Sequence, residues 1–151
     1  MLTLVQRILG LRRSGRLLSE PIFMPYQAVS KAELIEVEVK VGAKLPDDFQ
    51  VWLLTAGYGD IGEDLSFRSE WFKRIEQGPL RGALLFGQDT LGNFYAFTPR
   101  DERVVHFSRS TSEYAVLAPD FCSFVKELER RSFEVLQWVD SVDLSPYDWN
   151  A

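Results

Sequence analysis

Residues 30 to 62 read SKAELIEVEVKVGAKLPDDFQVWLLTAGYGDIG, and nearly every residue in this stretch has a mechanical role. Ser30 and Glu33 have the S-x-x-E spacing of a capping box, in which each side chain satisfies a free backbone group at a helix start. Gly42 is placed to end that helix in the left-handed conformation. Pro46 suits a first helical turn, and Asp47 and Asp48 fall where the positive end of the helix dipole favours carboxylates. Phe49, Trp52, Leu53 and Ala56 then recur at i, i+3, i+4 and i+7, an apolar stripe on one face. Gly57 supplies the second stop. The stretch predicts two short helices joined by a tight Gly-x-x-Leu-Pro corner.

Its end also satisfies G-x-G-x-x-G, through Gly57, Gly59 and Gly62. A dinucleotide site needs a strand before the glycines and a helix after them, so that phosphate meets a helix N-terminus. Here a helix comes first, and Glu63 and Asp64 follow, which would repel a pyrophosphate. The glycines are therefore read as an exit loop from the second helix.

The chain has 151 residues, enough for one domain that buries roughly 70% of its unfolded surface without a metal or disulfide. Cys122 is the one cysteine and His106 the one histidine. No intramolecular disulfide is possible, which suits a reducing cytoplasm, and no all-protein Cys/His zinc site can form. The net charge of −5 argues against a general nucleic-acid binder. That charge is uneven: residues 1–20, with Arg7, Arg12, Arg13 and Arg16, carry +3 and the remainder −8. An acidic body fits a basic partner, and it equally fits solubility alone.

No apolar run approaches the roughly 20 residues of a membrane span. The start of the chain is not a secretory signal, because Arg7 interrupts the apolar run and the other basic residues follow it. It is expected to form a short amphipathic helix with Leu4, Ile8 and Leu11 on one face. Packing on its own domain is the favoured role, with a membrane-surface or transit element as the alternative.

Pro21 and Pro25 mark residues 19–25 as a connection. After the two helices, Leu65–Phe67 reads as a short strand and residues 69–77 as a helical turn. Ala83–Phe86, Phe94–Phe97, Arg103–Phe107 and Tyr114–Leu117 read as strands spaced for antiparallel hairpins. Pro119 and Asp120 open a helix bearing Phe121, Phe124, Val125 and Leu128, and a last helical segment spans 132–139. An acidic, aromatic tail follows, with Asp140, Asp143, Tyr147, Asp148 and Trp149. Helices, then strands, then helices indicate a single α+β domain: an antiparallel sheet of about four or more strands flanked by N- and C-terminal helices.

The common catalytic signatures are absent: no G-x-S-x-G elbow, P-loop, H-E-x-x-H or C-x-x-C. His106 alternates with Val105 and Phe107 on a strand and is expected to be half-exposed rather than catalytic. Cys122 reads as a small core hydrophobe. Asp60, Glu63 and Asp64 form the one acidic cluster without an evident structural duty. The expectation is a non-enzyme with no catalytic, metal or cofactor site.

The ordered features resemble the SMI1/KNR4 family, also called SUKH, over about residues 30–131. They are Glu38 and Gly42 on the first helix, Leu45-Pro46 leading into Phe49, Trp52 and Leu53, and the glycine exit at Gly57 and Gly59. Next come the hairpin Asp89-x-x-Gly92-Asn93-x-Tyr95-x-Phe97, Val104-Val105, and Phe121-x-x-Phe124-Val125. Residues 1–29 would be an N-terminal helical extension, and 132–151 a C-terminal helix and acidic tail. The resemblance implies an α+β domain that binds other proteins. Bacterial members are similar to immunity proteins that neutralise toxins, often nucleases; fungal members are regulatory.

The resulting expectation is a cytoplasmic, non-catalytic protein-binding module that occludes a basic toxin domain stoichiometrically. Asp60, Glu63, Asp64 and Asp148 would supply complementary charge, and Tyr58, Trp71 and Trp149 aromatic anchors. No nucleic acid and no membrane span enter this expectation. An intracellular scaffold or regulator without a toxin partner is the alternative, and an enzyme working through carboxylates alone is a third.

Overall fold

Helix α1 (Leu2–Leu9) opens the chain and turns Leu4, Val5 and Ile8 into the core. These coordinates are a computed structural model that describes residues 1–15 and 18–151; Arg16 of the basic N-terminal segment lies outside the described residues. Arg7 locks the helix down, donating from Nε (3.0 Å) and Nη2 (2.6 Å) to the two carboxylate oxygens of Glu129. The apolar face of α1 thus meets its own domain.

The other described residues of the N-terminal segment form strands and their connections rather than the expected helical extension. Strands β1 (Arg12–Ser14) and β2 (Ser19–Pro21) pair as a hairpin. The expected connection over 19–25 runs into β3 (Phe23–Gln27), which pairs with the main sheet. Both prolines are tolerated because they lie on edge strands, Pro21 in the two-stranded β1–β2 hairpin and Pro25 in β3 at the edge of the main sheet, where a missing N–H need not break an interior ladder.

The deciding stretch folds as two helices. In α2 (Lys31–Val41), Ser30 Oγ accepts from the Glu33 backbone N–H at 3.2 Å, and its hydroxyl donates to the Glu33 carboxylate at 3.0 Å. Gly42 caps α2 with φ +70°. The corner is then held by side chains: the Glu38 carboxylate accepts the Leu45 N–H at 2.7 Å, and Gln50 Nε2 donates to the Leu45 carbonyl at 2.8 Å. Pro46 is the N-cap of α3 (Asp47–Thr55), one position earlier than a first-turn proline. Leu45 and Pro46 are both buried under the corner.

The sheet follows from β4 (Tyr58–Ile61) and β5 (Leu65–Phe67), through a 3-10 turn at Ser69–Trp71, to β6 (Lys73–Arg74) and β7 (Leu84–Asp89). It continues with β8 (Phe94–Phe97), β9 (Val104–Phe107) and β10 (Glu113–Ala118). Helices α4 (Phe121–Arg130) and α5 (Val135–Ser141) precede β11 (Ser145–Pro146). The strands are ordered β11-β10-β9-β8-β7-β5-β4-β3, every recorded pairing is antiparallel, and β6 shares the β7 edge with β5. The fold is α+β.

The expected glycine exit loop is strand β4. Gly57 has φ +84°, and a Cβ there would strike the Gln27 carbonyl. A Cβ at Gly59 would strike the Met24 carbonyl and come within 2.8 Å of the Phe23 ring. Gly57 and Gly59 therefore let β3 lie close on β4, Gly62 instead makes room for Phe133, and no helix N-terminus follows them.

The helices cover one face of the sheet. Phe49 of α3 sits centrally there, with ring centroids of Phe121, Phe86 and Phe97 at 4.9, 5.3 and 5.3 Å. Phe86 and Phe97 stack at 4.1 Å. Truncating one such fully buried aromatic costs about 3–5 kcal/mol. His106 belongs to this face and is 3% exposed, not half-exposed, because it lies edge-on to Tyr95 and lines a gap against Leu136 and Val139 of α5.

Candidate functional site

Among the described residues no α-helix covers the opposite face. One cross-strand row runs over it: Met24, Asp60, Ser66, Gln88, Phe94, Phe107, Tyr114 and Ser145 are successive partners from β3 to β11. Directly opposed residues of a sheet share a face, so this row is a continuous surface, polar toward β4–β5 and aromatic toward β8–β10.

At the aromatic end a small second core forms from Ile75, Ala83, Ala96, Val105, Phe107 and Tyr147. The expected acidic tail is part of it. Strand β11 pairs with β10, Tyr147 is 3% exposed, and its hydroxyl donates to the Gln77 carbonyl at 2.8 Å while accepting from the Leu80 N–H at 3.0 Å. The Trp149 ring follows, 5.8 Å from Phe107 and 4.4 Å from Tyr147.

This packing leaves a groove of about 520 Å³ lined by Trp71, Leu85, Phe94, Phe107 and Trp149, with Glu70 and Glu76 among its polar residues. Trp71 and Trp149, distant in sequence, both line it. Trp149 is 39% exposed, a large aromatic left open to solvent. Beyond Trp71, the Arg68 guanidinium lies 5.4 Å from its ring and 4.4 Å from the Tyr26 ring, a cation held between two aromatic faces.

The remaining sequence candidates part company. Asp60 is on the open face, half-buried, and accepts from the Ser66 hydroxyl. Glu63, in the β4–β5 turn, pairs with Arg13 of β1. Asp64 accepts from Thr90 Oγ1 at 2.9 Å, and its carbonyl accepts the Thr90 N–H at 2.9 Å, joining two hairpin turns. All three acids thus have structural partners that sequence reasoning did not assign them. Glu63 and Asp64 line a different hollow, of about 460 Å³, against Phe133, Glu134 and Gln137. Asp148 is exposed beside Trp149 and accepts the Asn150 N–H at 2.9 Å. Tyr58 is 5% exposed, so its ring is not a surface anchor; it packs against Phe72 at 5.8 Å. Burial raises its hydroxyl pKa to about 12, with Glu33 and Glu70 adding to the effect.

Sequence reasoning missed Phe94, Phe107 and Leu85 as surface-forming residues. Each reads as ordinary strand core, and only the bare sheet face makes them part of a groove. Among the described residues, no three or more His, Cys, Asp or Glu side chains gather as a metal site, and no helix is long and apolar enough to cross a membrane.

Helices on one face of an antiparallel sheet, with an aromatic groove on the other, define the class of fold. The SMI1 / KNR4 family (SUKH-1) model matches residues 28–127, and the chain belongs to that family. No curated protein and no solved structure matches it.

Proposed function

We propose that the protein is an immunity-type binding module that neutralises a basic toxin domain by stoichiometric occlusion, with the open sheet face as its contact surface. The observation that carries this reading is the Trp71–Trp149 groove: two tryptophans from distant segments on the face opposite the α-helices. Tryptophan is enriched among residues that dominate binding energy, and exposed aromatic grooves rimmed by polar residues mark interaction surfaces. Family membership supports protein binding, and the −5 net charge supports a basic partner. Asp60 and Asp148 would add complementary charge near the groove, with Glu63 and Asp64 contributing from the neighbouring turn. Enzymatic activity, a cofactor and nucleic-acid binding form no part of this reading, which places the protein in the cytoplasm with its toxin.

The test is affinity capture from the native host, identification of the bound protein, and measurement of its association. Trp71→Ala with Trp149→Ala is expected to weaken binding about 30-fold or more. Reversing the charge of Asp60, Glu63, Asp64 and Asp148 is expected to slow association and flatten its salt dependence. Unchanged affinity and rates in both variants would remove the proposed surface. A captured partner that is no toxin would favour the scaffold or regulator reading instead.

A further inference from the structure

Two buried hydrogen-bond donors next to the groove have no partner. Among the described residues the Tyr58 hydroxyl and Arg68 Nε are shielded atoms with no hydrogen-bond partner, the Arg68 guanidinium being otherwise partly exposed and in contact with Tyr26 and Glu70; both side chains line one small pocket of about 120 Å³ with Tyr26, Gln27, Ser69 and Glu70. A buried donor left unmade costs about 1–3 kcal/mol; seven shielded side-chain atoms without a partner occur among the described residues. Here two share one hollow, and each is held in place. Tyr58 is fixed on β4 by Phe72, and Arg68 is clasped between Tyr26 and Trp71. Tyr26 and Gln27, on the edge strand, and Glu70 are exposed, so the mouth of the pocket is made of surface side chains, two of which, Tyr26 and Glu70, rest on Arg68.

The pocket adjoins the aromatic groove. Glu70 lines both, and Trp71 forms a groove wall on one side while contacting Arg68 on the other. A segment lying across this face would therefore reach both at once. What the pocket accepts follows from its charges. Arg68 is already paired with Glu70 at 3.9 Å, and Glu33 and Asp60 add further negative charge nearby. A second carboxylate would meet repulsion, whereas a neutral carbonyl oxygen, an acceptor only, matches two donors without adding charge.

We infer that the Tyr58–Arg68 pocket receives an amide carbonyl of the bound protein, while an apolar side chain of the same segment fills the Trp71–Trp149 groove. This deepens the proposed function and rests on its choice of face. The open face then recognises an uncharged backbone or Asn/Gln carbonyl beside an apolar residue, and net charge serves encounter more than specificity.

The experiment pans a random linear peptide library on the full-length protein and measures Kd of the enriched peptides for wild type, Tyr58→Phe, and Trp71→Ala with Trp149→Ala. Tyr58→Phe deletes only an unpaired hydroxyl, so the free protein is expected to keep or raise its Tm. Its peptide affinity is expected to fall about tenfold. Peptides carrying a single ester in place of an amide, a weaker acceptor, should identify one position where the ester weakens binding to wild type but not to Tyr58→Phe. If Tyr58→Phe binds like wild type while the double tryptophan variant does not, the carbonyl pocket is wrong and the groove stands. If the library yields no binder, or peptides indifferent to both variants, the pocket and the face both fall.

Discussion

The hydroxyl of Tyr147 donates to the carbonyl of Gln77 at 2.8 Å and so ties the C-terminal tail across the sheet to the loop before β7. The same oxygen accepts the Leu80 N–H. This one side chain holds Trp149 over Phe107 and closes the aromatic end of the groove. Tyr147→Phe keeps the ring and removes both bonds. We expect a loss of about 1–2 kcal/mol in chemical denaturation and weaker binding through Trp149. An unchanged denaturation midpoint would mean that ring packing alone fixes the tail.

Gly59 separates the structural role of the glycine motif from a nucleotide-binding one. A Cβ at this position meets the Met24 carbonyl, the Phe23 ring at 2.8 Å and Pro25 Cα at 2.9 Å. Two of these neighbours are backbone, which cannot rotate away. Gly59→Ala is expected to destabilise by about 1–3 kcal/mol and to loosen β3 in amide hydrogen exchange. Isothermal titration of wild type with NAD is expected to give no heat of binding.

The Glu38 carboxylate is the clasp of the Gly-x-x-Leu-Pro corner. Its bond to the Leu45 N–H is 2.7 Å long and only partly exposed. Glu38→Ala leaves that N–H without its acceptor, and a loss of about 1.5–2 kcal/mol in thermal or chemical denaturation is expected. Glu38→Gln retains an acceptor and should recover part of it.

His106 makes stability depend on pH. Burial lowers its pKa below the ordinary 6.5, an effect larger than the opposing attraction of Asp89, and neither ring nitrogen has a partner among the described residues. The unfolded chain therefore binds a proton more readily than the folded one. The stability from keeping this ring neutral is complete above pH 6.5 and is lost as pH falls toward the lower folded value, with a slope of up to about 1.4 kcal/mol per pH unit. Denaturation midpoints measured from pH 8 to pH 5 should decline in wild type and decline less in His106→Phe.

Local features were legible because they depend on neighbours in the chain. The Ser30–Glu33 cap, the Gly42 stop and the Asp120 cap, which accepts the Ser123 N–H at 2.7 Å, each involve residues close in sequence. The strands over 83–117 were readable from apolar runs between turn residues. Residues 12–27 were not, because prolines that break helices are also at home on an edge strand. The acids misled for a related reason. Asp60, Glu63 and Asp64 look unemployed as a string, since Ser66, Arg13 and Thr90 reach them only through strand pairing and hairpin contact.

The sequence by itself determined the two capped central helices, the antiparallel character of the sheet and the family, all of which follow from short-range spacing and side-chain type; the helical turn expected over 69–77 is instead a 3-10 turn followed by β6, and the last helix runs Val135–Ser141. Tertiary structure alone decided the surface. It buried Tyr58 and His106, turned a tail into a strand, and set Trp71 and Trp149 along one groove. The physical reason is that a strand residue's exposure is set by what covers each face of the sheet. Here the five described α-helices bury their apolar residues in the core on one face, and the other is left to a row of side chains contributed by eight strands and to the 3-10 turn that carries Trp71.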